Sequence, residues 1–286
     1  MKYEVEHLLS LGHELGEGPM WSVDEQALYW VDIFAGNIHR MKPGTPGYET
    51  FPVGAAVGSM GFREGGGFIL ALKDGLYFWD TDDRPAQFLT NPEADKPHVR
   101  FNDGAVDRKG RFWTGTMDDN GNSCLYRYDP DGGICVRETG VMCSNGIGWS
   151  PDNRTMYYSD SQRFTIYAYD FDLESGDVGN RRVFLRPEQG EPDGLTVDSE
   201  GCVWAAMWDG WRLDRLDPDG KLMTSIPMPV QYPTCPMFGG PNLDELFITS
   251  AWTAMGKERR HEQPLAGDLF HIQTDVKGIP EPKFAG

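Results

Sequence analysis

The chain of 286 residues contains 44 acidic and 26 basic residues and carries a formal net charge of −18. Its Lys and Arg residues form no cluster dense enough to follow a phosphate backbone, so we expect neither nucleic acid nor an anionic membrane as a partner. Glycine and proline account for 35 and 20 residues, and their even spread predicts many tight turns in a turn-rich β protein.

The N-terminus and the cysteines predict a cytoplasmic protein. The first 18 residues alternate charged with apolar residues and lack the apolar core of a signal peptide, and no apolar run is long enough to cross a bilayer. The five cysteines are odd in number and include no Cys-x-x-Cys pair, which is typical of reduced thiols. The residues leave the oligomeric state open, and we expect a monomer or a weak oligomer.

One unit recurs along the chain. It reads as short strands with period-two alternation, separated by turns that contain Asp-Gly, Asn-Gly or Asp-Pro-Asp-Gly. The copies cover residues 17–44, 58–83, 101–133, 144–176, 191–222 and 235–253, the last with a partner strand at 267–274.

The spacing of the copies predicts a six-bladed β-propeller with four antiparallel strands per blade. The anchor residues of the second strands are 40, 44, 44, 47 and 43 residues apart; they are Tyr29, Ile69, Trp113, Tyr157, Trp204 and Phe247. A period of about 40–45 residues is that of a propeller blade, whereas the alternative, an all-β sandwich, needs no constant four-strand period. We expect one domain, residues 1–286, with the N-terminal strand at residues 3–9 closing the ring.

Four oxygen-bearing side chains occupy equivalent positions in four of the copies. Glu17, Asn102, Asn145 and Asp193 each lie 11 or 12 residues before the anchor of their copy. Equivalent positions in a propeller lie on a circle around the axis, so these side chains should converge in the central channel. Two carboxylates and two amides in a small space favour a bound divalent cation with hard oxygen ligands.

A turn-forming role is the alternative for these positions. Each of the four is followed by Gly or Asp-Gly, a pair that usually forms a turn, and glycine there predicts a sharp backbone turn into the channel. The recurrence at equivalent positions and the presence of Glu17, a poor turn former, favour the site. The Asp-Pro-Asp-Gly segments at 129–132 and 217–220 are interpreted as structural turns. No His or thiolate set suggests structural zinc.

Two further features lie near the predicted site. Arg100, two residues before Asn102, could stabilise a developing oxyanion, or it could form an ordinary surface ion pair. The loop Asp118-Asp119-Asn120 could form part of a lid, or it could be a solvated hairpin loop. The histidines show no ligand or triad spacing, and the absence of Gly-x-Ser-x-Gly gives a serine hydrolase no support.

Six motifs together resemble one family, the SMP-30/gluconolactonase/luciferin-regenerating-enzyme family, and within it the bacterial aldonolactonases. They are LGEGPMW at 15–21, RFNDGAVD at 100–107, GRFWTGTM at 110–117, SNGIGWSPD at 144–152, EPDGLTVDSEG at 191–201 and CPMFGGP at 235–241.

The resemblance implies roles for individual residues. It implies that Glu17, Asn145 and Asp193 bind one divalent metal ion, with Ca²⁺ as the expected ion and Mg²⁺, Mn²⁺, Zn²⁺ or Fe²⁺ also compatible. It implies that Arg100 and Asn102 contact the substrate. In the loop after Gly-Thr-Met, a Glu of regucalcin is replaced here by Asp118-Asp119-Asn120, so Asn120 is expected to take over that contact and substrate preference is expected to differ.

These observations predict an enzyme that opens a sugar lactone, an aldono-1,4- or 1,5-lactone, to the aldonic acid in carbohydrate catabolism. The metal would polarise the carbonyl, Asp193 would deprotonate the attacking water, and Arg100 would stabilise the oxyanion. One alternative is a metal-dependent esterase or organophosphatase with the same site. Another is a non-catalytic propeller that binds calcium or a protein partner.

Overall fold

The computed structural model describes residues 3–81, 84–118 and 120–286. Residues 82 and 83, at the end of the second repeat copy, and Asp119 of the predicted loop lie outside these ranges. The described residues form 24 strands in six four-stranded sheets. We propose that the predicted single domain, residues 1–286, holds for the whole chain, because no described sheet stands apart from the others.

The strands follow one another blade by blade. The chain first forms β1 (Glu6–Leu9). Blade 1 contains β2 (Gly16–Ser22), β3 (Ala27–Asp32), β4 (Asn37–Met41) and β5 (Glu49–Pro52). Blade 2 contains β6 (Val57–Phe62), β7 (Phe68–Leu72), β8 (Gly75–Trp79) and β9 (Gln87–Thr90). Blade 3 contains β10 (Arg100–Val106), β11 (Phe112–Met117), β12 (Ser123–Tyr128) and β13 (Ile134–Val141).

The second half of the chain repeats this order. Blade 4 contains β14 (Ser144–Trp149), β15 (Thr155–Asp160), β16 (Thr165–Asp172) and β17 (Asp177–Leu185). Blade 5 contains β18 (Glu191–Val197), β19 (Val203–Trp208), β20 (Arg212–Leu216) and β21 (Leu222–Pro227). Blade 6 contains β22 (Pro233–Gly239), β23 (Glu245–Ser250), β24 (Leu269–Gln273) and β1. Short 3₁₀ helices lie at Ser161–Arg163, Thr253–Met255 and Lys257–Glu262, and no helix of the described chain has the length and apolarity to cross a membrane.

The six sheets form a closed ring, so the predicted six-bladed propeller is confirmed and the sandwich alternative is wrong. The innermost strands contact one another in the cyclic order β2, β6, β10, β14, β18, β22 and back to β2. Closure by the N-terminal strand is also confirmed, because β1 pairs with β24 as the outer strand of blade 6 and aligns Glu6 with His271. This pairing covers an edge that would otherwise be open to another chain.

The repeat anchors all lie on the second strand of their blade, and two of them are tied to an aspartate. The Trp113 indole N–H donates to Asp107 Oδ2 at 2.8 Å, and the Trp204 indole N–H donates to Asp198 Oδ2 at 2.9 Å. Both tryptophans are fully buried, and each aspartate precedes its tryptophan by six residues. In each of these two blades, the recurring Asp of the repeat therefore accepts the hydrogen bond of a buried indole N–H.

The C-terminal segment, residues 276–286, crosses one end of the ring. Gly278 N–H donates to the Leu243 carbonyl at 2.7 Å, and Phe284 N–H donates to the Phe62 carbonyl at 2.7 Å. The Phe284 ring is fully buried. The segment therefore ties blade 6 to blade 2 and leaves the opposite end of the channel for access. The repeat pattern did not predict this role.

Candidate active site

A β-bulge interrupts each of the six innermost strands near its start. Asn102, Asn145 and Asp193 lie within the bulges of blades 3, 4 and 5, and Glu17 is the last regularly paired residue before the bulge of blade 1. A bulge redirects side chains relative to the pleat. Residues at equivalent positions of the repeat thus lie in or next to the same β-bulge of their innermost strands. The ring therefore brings their side chains to one level of the channel.

The glycines after the site residues serve close blade packing. A Cβ on Gly146 would lie 2.7 Å from the Asp193 carbonyl oxygen, and a Cβ on Gly194 would lie 2.4 Å from the Cys235 Sγ. Neither glycine has a positive φ, unlike Gly18 at +49°. Gly146 and Gly194 lie within the β-bulges of their strands, and the absence of a side chain at both positions also lets neighbouring innermost strands approach.

Five of the six predicted site residues line one cavity of about 220 Å³ at the end of the channel where the innermost strands begin. These are Glu17, Arg100, Asn102, Asn145 and Asp193. Apolar walls are contributed by Leu15, Phe34, Met117 and Trp208. The remaining lining residues are Cys143, Ser161, Gln162, Glu191 and Thr253.

A chain of hydrogen bonds fixes the two amides of the cavity. Arg100 Nη1 donates to Asn102 Oδ1 at 2.6 Å, and Asn102 Nδ2 donates to Asn145 Oδ1 at 3.0 Å. Asn145 Nδ2 in turn donates to Ser161 Oγ at 2.8 Å, and Ser161 Oγ donates to the Pro192 carbonyl at 2.7 Å. The nitrogen of each amide is therefore committed, and Asn145 Oδ1 keeps a lone pair for a further partner.

Two buried carboxyl groups of this cavity, Glu17 and Asp193, lie near the Arg100 guanidinium, and a third, Asp103, lines the neighbouring cavity deeper in the channel. Burial, followed by the charge of Asp103, raises the pKa of Glu17, and burial likewise raises the pKa of Asp103. Burial, followed by the charges of Glu17 and Asp103, raises the pKa of Asp193 well above its usual range. Burial lowers the pKa of Arg100, which is the nearby cation. Negative charge here exceeds what the protein itself neutralises.

A divalent cation fits these residues. Asp193 Oδ1 is buried and has no hydrogen-bond partner, and an orphaned carboxylate oxygen of this kind is costly unless a cation or proton satisfies it. The donors that Glu17, Asn145 and Asp193 provide are the hard oxygens that Ca²⁺ and Mg²⁺ prefer. Glu17, Asn145 and Asp193 remain a predicted ligand set. Its support is Asp193 Oδ1, which has no hydrogen-bond partner and lies among buried acidic groups.

A second acidic group lies elsewhere and has a structural explanation. Asp198, Glu200 and Cys202 present ligand-type atoms within 4.8 Å of one another. Arg215 Nη2 donates to Asp198 Oδ2 at 2.7 Å and to Glu200 Oε2 at 2.7 Å. Because the guanidinium already neutralises both carboxylates, this group serves the blade core.

Asn120 is the predicted site residue that does not line the cavity. Its backbone N–H and its Nδ2 donate to Asp118 Oδ1 at 3.1 and 2.9 Å, and its side chain is exposed. Met117 at the start of this loop does line the cavity. The substrate contact of Asn120 therefore stays a prediction.

Sequence reasoning missed two carboxylates of the site. Asp103 directly follows Asn102 in the motif, so its position in the same bulge was accessible from the repeat alignment. Glu191 lies two residues before Asp193, just as Arg100 lies two residues before Asn102. Applying that spacing to blade 5 would have identified Glu191.

Fold and cavity together define a six-bladed propeller with carboxylates and amides gathered at one end of its central channel. Residues 15–252 match the family described as SMP-30/Gluconolactonase/LRE-like region, and the chain belongs to this family. The resemblance seen in the sequence motifs is thereby confirmed.

Three relatives illustrate the similarity. The chain is 42% identical to a 6-deoxy-6-sulfogluconolactonase from Pseudomonas putida over 95% of both chains. It is 35% identical to regucalcin from Xenopus laevis over 99% of both chains. Among solved structures, a calcium-binding protein, regucalcin, from Agrobacterium tumefaciens superposes with a TM-score of 0.93 at 26% identity, covering 99% of this chain and 98% of that one.

Proposed function

We propose that this protein is a metal-dependent hydrolase that opens a sugar lactone to the corresponding aldonic acid. That it is an enzyme of the lactonase type follows from its family and from its sulfogluconolactonase relative. The observation that carries the metal dependence is Asp193 Oδ1, a buried carboxylate oxygen without a hydrogen-bond partner in a cavity that Glu17 and Asn145 also line.

Glu17, Asn145 and Asp193 would hold the ion. The name of the solved regucalcin structure, a calcium-binding protein, supports Ca²⁺ as that ion. When bound, the ion would act as a Lewis acid on the lactone carbonyl. Because Asn145 is fixed through its Nδ2 by Ser161, its Oδ1 is presented without loss of side-chain entropy on binding.

The protein side chains supply the remaining chemistry. Asp193 Oδ1 would bind the ion, so the second oxygen of this carboxylate would accept the proton of the water that attacks the lactone carbonyl and return it to the ring oxygen when the ring C–O bond breaks. Arg100 stabilises the negative charge that develops on the carbonyl oxygen, and its guanidinium is held for this role by Asn102 Oδ1. Asn102 orients the ring hydroxyls, and Asn120 contacts the substrate from the loop after Met117.

The shape of the cavity supports a sugar lactone as substrate. Phe34 and Trp208 offer aromatic surface to the apolar faces of a sugar ring, while Gln162 and Thr253 offer polar groups to its hydroxyl-bearing edge. A volume of about 220 Å³ suits a single pentose or hexose lactone better than a large ester. An aldono-1,4- or 1,5-lactone in carbohydrate catabolism is the substrate class that we propose.

A substrate panel tests this proposal. Acid release is measured on pentono- and hexonolactones and on phosphotriesters, with each divalent metal supplied in turn to metal-stripped protein. We expect aldonolactones to be hydrolysed well above the spontaneous rate. Preferential hydrolysis of phosphotriesters would favour the organophosphatase alternative, and calcium binding without hydrolysis of any substrate would favour the non-catalytic propeller.

A further inference from the structure

A further carboxylate, that of Glu191, lines the cavity without belonging to the predicted ligand set. Glu191 is the first residue of β18 and is partly buried. Its carboxylate makes no hydrogen bond or ion pair with any described residue. A charged group of the cavity wall is thus left without a protein partner.

The Glu191 carboxylate lies in the same cavity as the residues proposed to react. Glu191 lines the same cavity as Asp193 and Cys143, and it is paired across the blade with Trp208, another residue of the lining. Arg100 is the one cationic side chain among the described lining residues, and it is bonded to Asn102 Oδ1 and to the Phe101 carbonyl. The cavity therefore offers a positive group on blade 3 and an uncompensated negative group on blade 5.

We propose that Glu191 determines substrate specificity: its carboxylate accepts hydrogen bonds from the hydroxyl groups of a neutral sugar lactone and disfavours lactones that carry an anionic substituent. This inference rests on the proposed function, because it concerns the same cavity. A carboxylate binds hydroxyl donors strongly in a partly desolvated site and repels a second anion there.

The name of the Pseudomonas putida relative specifies a sulfogluconolactonase. Arg100 is the one cation among the described lining residues, and the proposed mechanism uses it at the lactone carbonyl, so no second cation remains there to pair with a sulfonate. Hydrolysis also converts a neutral lactone and one water into a hydroxy acid, whose carboxyl proton is lost to solvent at neutral pH. Glu191 then faces an anionic product and favours its release.

A matched pair of substrates tests the role of Glu191. The ratio of kcat/KM for glucono-1,5-lactone to that for 6-phosphoglucono-1,5-lactone is measured at low ionic strength for metal-loaded wild type, Glu191→Gln and Glu191→Ser. Glu188→Gln, an exposed residue outside the cavity lining, is the control for loss of one charge. The affinity for gluconate, measured by calorimetry on the same proteins, is a second readout that does not need turnover.

We expect wild type to prefer the neutral lactone. Both Glu191 variants should lower the ratio of kcat/KM for the neutral lactone to that for the phosphorylated lactone about tenfold, and both should bind gluconate about tenfold more tightly. Removal of one nearby charge at an intermediate dielectric implies changes of this size. The Glu188 control should match wild type. A ratio and a gluconate affinity that stay within twofold of wild type in both Glu191 variants would overturn the inference, as would a wild-type preference for the phosphorylated lactone. Hydrolysis of no lactone by wild type would overturn the proposed function, and gluconate binding would then still decide the role of Glu191.

Discussion

The Asn102 side chain donates a hydrogen bond from Nδ2 to Asn145 Oδ1 at 3.0 Å, across 43 residues of sequence and between two neighbouring blades. The same Nδ2 also donates to the Ser144 carbonyl at 2.7 Å. Asn102 thus connects the guanidinium of Arg100 with the amide that we propose as a metal ligand. Such partners of ligand groups typically affect metal affinity by about 10- to 100-fold.

Replacing Asn102 with Ala should therefore weaken two functions together. Arg100 loses the acceptor that positions it, and Asn145 loses the donor that orients its Oδ1. We expect kcat/KM for the preferred lactone to fall about 100-fold and metal affinity to fall about 10-fold. Steady-state kinetics and metal titration by calorimetry measure these changes. Asn180→Ala, at an exposed position, is the control, and unchanged metal affinity in Asn102→Ala would separate Asn102 from the ligand set.

Asp193→Asn should remove activity and stabilise the metal-free protein. The variant loses the proposed general base and a ligand, so we expect turnover to fall about a thousandfold or more. It also removes a buried carboxylate that the charges of Glu17 and Asp103 oppose, so the thermal midpoint of the metal-free protein should rise. Acid-release assays and calorimetry test both effects against Asp219→Asn in an exposed turn. A fully active Asp193→Asn would contradict its role.

Gly146→Ala should destabilise the ring through blade packing. The added Cβ would lie 2.6 Å from the Leu195 backbone nitrogen and 2.7 Å from the Asp193 carbonyl oxygen, and backbone atoms cannot move aside as a flexible side chain can. We expect a loss of about 1–3 kcal/mol in the free energy of unfolding. Denaturant unfolding compares it with Gly179→Ala, whose Cβ would meet nothing within 4 Å. Equal stability of the two variants would contradict the packing role of Gly146.

The ring was predictable because each blade of a propeller repeats the same strand pattern at a nearly constant spacing along the chain. The anchors, from Tyr29 to Phe247, lie on equivalent second strands, and the equivalence of Glu17 and Asp193 follows from the same period. What relates these residues is the symmetry of the backbone, which a repeat alignment captures without knowledge of any contact.

The features that were missed depend on contacts between distant segments or on single side chains. The path of residues 276–286 across the channel lies outside the repeat, and Glu281 of this segment lines a second cavity of about 70 Å³ within the channel, beside Asp103. The reason for Gly194, contact with Cys235 of the next blade, requires three-dimensional coordinates. The loop at Asn120 departs from the repeat, so its direction could not be derived from the pattern.

His39 should make the folded protein sensitive to mild acid. Its ring is buried, stacks on His13 at 4.5 Å between centroids, and leaves Nε2 without a partner. Burial, followed by the charge of His13, lowers the pKa of His39 to about 4, below the value of about 6.5 expected in the unfolded chain. The unfolded state therefore binds the extra proton first, so this contribution to stability is present above about pH 6.5 and is lost as pH falls toward 4.

Unfolding measured at pH 7.5 and pH 5 tests this effect. The free energy of unfolding of wild type should fall by about 2 kcal/mol more between these values than that of His39→Gln. His261→Gln, at an exposed position, should retain the wild-type dependence on pH. If His39→Gln lost as much stability as wild type, protonation of His39 would not contribute to acid sensitivity.

The most direct test of the proposed site is a count of bound metal joined to an activity measurement on the same sample. Metal-stripped protein is titrated with Ca²⁺, and bound ions per chain and aldonolactone hydrolysis are followed together, for wild type and for Glu17→Gln. The proposed site requires negligible hydrolysis without metal, recovery in proportion to one bound ion per wild-type chain, and loss of both binding and recovery in Glu17→Gln. Full hydrolysis by the metal-free protein, or binding by Glu17→Gln as tight as that of wild type, would contradict it.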